Sequence, residues 1–80
     1  MSNFEAAKRE ILERVSEAIQ VPVDEIDVER PLPELGLDSL DTVDLIATIE
    51  SMIREELPED IIQRVQCLSE ILQIVREKMA

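Results

Sequence analysis

Apolar residues along the chain fall at helical spacing in three long stretches. Phe4, Ala7, Ile11, Leu12, Val15, Ala18 and Ile19 recur at three- and four-residue steps, the spacing of one face of a helix. This predicts a first helix over residues 3–20, stopped by Pro22 and opened by a Ser2/Glu5 capping box. A second helix is expected from Asp38 or Ser39 to Ile53, and a third, shorter one from Glu59 to Val65, with Pro58 tolerated in its first turn. Leu68, Ile71, Leu72, Val75 and Met79 then mark a fourth. Between the first two helices, residues 21–38 hold three of the four prolines and the only glycine. Val23, Ile26, Val28, Leu32, Leu35 and Leu37 alternate with polar residues there, so this irregular segment is expected to pack on the helices, with one helical turn at Asp24–Ile26. The prediction is an all-α fold: a small antiparallel four-helix bundle, three helices longer and one short, with a long loop between the first two, in one domain over residues 1–80.

On a wheel of about 100° per residue, the second helix divides in two. Thr42, Leu45, Ile46, Ile49, Met52 and Ile53 form the expected core stripe. Leu40, Val43, Asp44, Ala47, Glu50, Ser51 and Arg54 occupy the opposite side, with Asp41 at its edge. Apolar residues ringed by acids on an exposed face have the makings of a docking surface, the apolar contacts giving affinity and the acids steering.

Composition narrows the choice of partner. Nineteen acids against eight bases leave a formal net charge of −11, which disfavours nucleic acid and anionic membranes and favours basic protein surfaces. The core must be aliphatic, since Phe4 is the only aromatic residue. A single Cys67 precludes an intramolecular disulfide, the N-terminus lacks a signal-peptide core, and no apolar run approaches membrane-spanning length. A monomeric cytoplasmic domain is expected.

Ser39 stands three residues after Gly36 in E-L-G-L-D-S-L-D-T-V-D-L-I. A nucleophilic serine needs a base, and the chain contains no histidine. The spacing does not fit a nucleophile elbow, and Cys67 likewise has no histidine partner. Asp38, Asp41 and Asp44 step by three, unlike the alternating ligands of a calcium loop, so no metal site is expected. The chain therefore reads as a non-enzyme whose serine is acted on by another protein. With Asp38 as N-cap, Ser39 is the first helical residue, where free N–H groups and the helix dipole suit an attached phosphate. Phosphorylation and attachment of a larger phosphodiester both satisfy this.

The segment L-G-L-D-S-L-D-T-V-D-L-I resembles the phosphopantetheine attachment motif of acyl carrier proteins of the freestanding type that serves fatty acid synthesis. The resemblance extends through the first helix, the proline-containing loop, the E-L-P-E-D segment and the last helix. It implies 4′-phosphopantetheine on Ser39, installed from coenzyme A by a phosphopantetheinyl transferase, with acyl groups carried as thioesters. It also implies docking of acyl-loading and acyl-transferring enzymes through basic patches onto Asp38, Leu40, Asp41, Val43, Asp44, Ala47 and Glu50. The acyl chain is expected among Leu45, Ile46, Ile49, Ile61 or Ile62, and Leu68. Ser51, Met52, Ile53 and Arg54 thin the acidic run usual in the family, and Cys67 stands where serine or threonine often caps the last helix; both departures suit a specialised carrier. The alternatives are a freestanding polyketide, D-alanyl or peptidyl carrier and, more remotely, an unmodified acidic adaptor.

Overall fold

The computed structural model describes residues 3–79, so the Ser2 half of the expected first capping box lies outside the described residues. Helix α1 spans Asn3–Ile19, α2 Leu32–Leu35, α3 Ser39–Ile53, α4 Glu59–Arg64 and α5 Leu68–Lys78, with a 3₁₀ turn at Val23–Glu25. The three long helices α1, α3 and α5 pack pairwise on one another. Each contributes the stripe that its periodicity demands: Ala7, Ile11 and Val15 from α1, Leu45, Ile46 and Ile49 from α3, and Leu68, Ile71, Leu72 and Val75 from α5. Thr42, Met52 and Ile53, expected in the α3 stripe, are half-buried. The Thr42 hydroxyl donates to the Asp38 carbonyl at 3.0 Å, a bond that keeps it at the edge of the core.

The connection from α1 to α3 is more ordered than the pattern predicts. The 3₁₀ turn begins one residue earlier than expected, and α2 forms where no helix is predicted. Two prolines hid it, yet both are admissible: Pro31 is the N-cap and Pro33 lies in the first turn, before any intrahelical N–H is needed. Leu32 and Leu37 are buried, and Ile26, Val28 and Leu35 pack against the core. The backbone is also stitched to the start of α5. The Leu32 amide donates to the Gln66 carbonyl at 2.8 Å and the Ser69 amide to the Val28 carbonyl at 2.9 Å. Ser69 Oγ reaches Glu29 Oε2 at 3.2 Å.

Helix α4 is held differently. It has no buried residue, and it rests on half-buried Ile62 and Val65. Its leading edge is secured by Leu57, which is buried and donates its N–H to Glu50 Oε2 at 2.7 Å. Lys78 Nζ bonds Glu55 Oε2 at 2.7 Å and ties the same segment to the end of α5. Cys67 is the N-cap of α5 and makes no capping bond. Its Sγ lies 3.1 Å from Ser69 Oγ, and the Gln66 amide instead donates to Glu70 Oε1 at 3.1 Å.

Gly36 ends α2 with φ 100° and ψ 11°, its N–H closing onto the Leu32 and Pro33 carbonyls. A Cβ there would meet only Ile19 Cγ2 at 3.7 Å, an ordinary contact, so the demand for glycine is set by the backbone. Gly36→Ala is expected to reduce unfolding free energy by about 1 kcal/mol, the left-handed penalty being partly offset by a less flexible unfolded chain. Urea unfolding of the two proteins measures this directly.

Candidate functional site

Helix α3 starts where two aspartates hold each other's backbone. Asp38 Oδ1 accepts the Asp41 N–H at 2.8 Å, and Asp41 Oδ2 accepts the Asp38 N–H at 3.2 Å. This reciprocal capping box satisfies two donors that a helix start otherwise leaves open. The Thr42 N–H then makes the first turn's bond to the Asp38 carbonyl, at 3.0 Å. Ser39 is consequently the first helical residue. It is exposed, and among the described residues its hydroxyl has no hydrogen-bond partner.

The amides of Ser39 and Leu40 precede the first intrahelical bond and point out of the helix start, with the positive end of a 15-residue helix behind them. A phosphodiester oxygen on Ser39 fits this position: donors and dipole favour it, and Asp38 and Asp41 repel it in part. Each of those two carboxylates accepts one backbone N–H.

Leu40 and Val43 stand out of the surface at 79% and 66% exposure, the exposed large apolar residues among those described. Asp38, Asp44 and Ala47 are exposed around them, and Asp41 is half-exposed. Glu50 lies apart from this group. It is half-buried and its carboxylate faces the α3–α4 segment to accept the Leu57 N–H. Its charge is thus engaged in holding the fold, a role that no local pattern announces because the partner is a backbone N–H seven residues away.

Leu45, Ile46, Ile49 and Leu68 are buried in one cluster, with Ile62 packed against it. Ile61 instead lines a groove of about 210 Å³ between α4 and α5, with Arg64, Val65, Glu70 and Ile74. Of the two isoleucines, Ile62 is therefore the one beside the core.

The family described as "Phosphopantetheine attachment site" matches residues 9–75 of the chain. The chain belongs to the acyl carrier protein family. It is 33% identical to an acyl carrier protein of Guillardia theta over 78 residues, covering 91% of this chain and 96% of the relative. An acyl carrier protein of Rickettsia canadensis is 27% identical, covering 100% of this chain and 94% of the relative. One from Thermosynechococcus vestitus is 32% identical, covering 89% and 94%. Like its family, this chain is a carrier and no catalyst, and its prosthetic group is covalently attached 4′-phosphopantetheine.

The capping geometry separates two acids of this carrier that look equivalent on a helical wheel. Asp41→Ala removes a capping partner and is expected to cost about 1 kcal/mol of stability. Asp44→Ala removes an exposed side chain and should stay within about 0.5 kcal/mol of wild type. Thermal melting followed by circular dichroism distinguishes the two.

Proposed function

We propose that Ser39 is the attachment point of the prosthetic group, and that this chain carries acyl groups for fatty acid or related lipid synthesis, as a monomer in the cytoplasm. The observation that carries the assignment is the unpartnered, exposed Ser39 hydroxyl at the N-terminus of α3, in a chain without a histidine to activate it. Ser39 Oγ forms a new bond to the pantetheine-bearing phosphorus of coenzyme A on the surface of a phosphopantetheinyl transferase. The transferase removes the hydroxyl proton, and the adenosine bisphosphate half leaves. Once attached, the arm supplies a thiol on which acyl groups ride as thioesters.

The rest of the work is recognition and shelter. Leu40 and Val43 offer apolar contact to the transferase and to acyl-transferring enzymes, and Asp38, Asp41 and Asp44 attract their basic patches. The net charge of −11 keeps copies of the carrier apart. Leu45, Ile46, Ile49, Ile62 and Leu68 accommodate the acyl chain between α3 and α4. Helix α4 supports this role because it contributes no buried side chain and so separates at less cost than α1 or α5. The aliphatic lining contains no ring, and each chain methylene buried there is worth at most about 0.8 kcal/mol before the cost of opening.

Two measurements test this reading. Incubation with coenzyme A and a phosphopantetheinyl transferase should add one prosthetic mass to the wild type and none to Ser39→Ala, with the helical circular dichroism unchanged; a modified Ala protein would show that the attachment point is elsewhere. For the loaded protein, the melting temperature should climb with saturated chain length until the core is full. Ile49→Phe should bring that plateau to a shorter chain. A melting temperature indifferent to chain length would put the cargo in solvent, as suits a polyketide-type carrier.

A further inference from the structure

After Ser39, the exposed positions of α3 are Leu40, Val43, Asp44, Ala47 and Ser51, ending at the exposed C-cap Arg54. At about 100° per residue these positions follow one ridge along the helix. The charge along it changes sign. Asp44, reinforced by Asp38 and Asp41, makes the Ser39 end acidic. Ala47 and Ser51 are neutral, and Glu50, still charged, is half-buried with its carboxylate turned to the Leu57 amide, off the exposed ridge. The ridge of α3 then closes on a base, Arg54, which the chain follows with Glu55, paired with Lys78, and the exposed Glu56.

Arg54 is displayed in an unusual way. Its backbone is left-handed, with φ 59° and ψ 36°, a region that few non-glycine residues occupy. Among the described residues it forms no ion pair. Four of the other seven bases are engaged, Arg14 with Glu10, Arg64 with Asp60, Lys78 with Glu55, and Arg76 over the Phe4 ring at 5.1 Å, while Lys8, Arg9 and Arg30, like Arg54, are in none of these contacts. From Asp44 to Arg54 the helix rises about 15 Å, more than the screening length of about 8 Å at physiological salt. A partner lying along α3 therefore meets two separate charges of opposite sign, where one uniform acidic strip would show it only one.

We propose that this ridge selects its partners by the order of charge along it, with Arg54 as a specificity-determining residue. The partner that fits is a protein surface with basic groups around an apolar recess for Leu40 and Val43, and an acidic group about 15 Å further on to meet Arg54. An enzyme whose docking patch is basic throughout is repelled at the Arg54 end, so the carrier serves a restricted set of enzymes. This rests on the carrier reading above. A base at a helix C-terminus also complements the helix dipole, but that role alters stability and affects every partner equally.

The test uses the full-length protein in its phosphopantetheine-bearing form, as wild type, Arg54→Gln and Arg54→Glu. The probes are the purified acyl-transferring and condensing enzymes of the same genome, with kcat/KM measured at low and high salt. With at least one enzyme, Arg54→Glu should lower kcat/KM about tenfold at low salt, with Gln intermediate and the gap narrowing as salt rises. Reversing one surface acid of that enzyme to Lys should restore the Glu variant. A fully modified Arg54→Glu protein that is neutral or faster with every enzyme overturns the proposal. So does an equal loss with all enzymes that follows a lowered melting temperature. Absence of the prosthetic mass on wild-type Ser39 overturns the carrier reading itself, and this proposal with it.

Discussion

Two hydrogen bonds between Asp38 and Asp41 determine the residue at which α3 begins, and the phase of a helix follows from its first residue. With Ser39 first, Leu45, Ile46 and Ile49 turn into the core and Leu40, Val43 and Ala47 turn out. A start displaced by one residue would rotate every side chain by about 100° relative to the chain entering it, exposing the stripe that holds α1 and α5. The same two carboxylates leave the Ser39 and Leu40 amides as the donors still open at that end. One local motif thus sets the packing register of the central helix and the chemical character of the surface around Ser39.

The site gains rigidity from what lies behind it. The α1–α3 connection is long, but its backbone bonds to Gln66 and Ser69 and its buried Leu32 and Leu37 make it part of the core. Ser39 therefore projects from a fixed base. The other end of α3 contrasts with it. There α4 is anchored at its flanks, through Leu57 and the Glu55–Lys78 pair in front and Val65 behind, and buries no residue of its own. Low burial is where local opening costs least. The fold is firm at the start of α3 and yielding at the α3–α4 segment.

The acids of α3 show how one residue type divides into unlike tasks. Asp38 and Asp41 cap, Glu50 anchors the following segment, and Asp44 alone has its carboxylate outside the hydrogen bonds of the fold. Charge still radiates from all four, so the face remains acidic to an approaching protein. What differs is the consequence of removing each one. Two would loosen the helix start and one the α3–α4 segment, and Asp44 would change little in the fold.

The amino-acid sequence by itself determined the features whose causes lie within a turn or two of chain. The apolar spacing defined the three long helices and their buried faces, Pro22 bounded α1, and Asp38 before Ser39 marked the start of α3, because capping and amphipathic periodicity act over three or four residues. The exposure of Leu40 and Val43 was legible on the same wheel. Helix α2 was not: four residues beginning beside two prolines have no periodicity to read, and its place depends on burying Leu32 and bonding Gln66, more than thirty positions away. The engagement of Glu50 was equally hidden, since the chain must reverse at Arg54 before the Leu57 amide returns to it. The choice between Ile61 and Ile62, and the bonding of Glu70 to Gln66 in place of a cap from Cys67, depended in the same way on how α4 and α5 settle against their neighbours. Only the tertiary structure decided these, because each joins groups that local spacing cannot bring together.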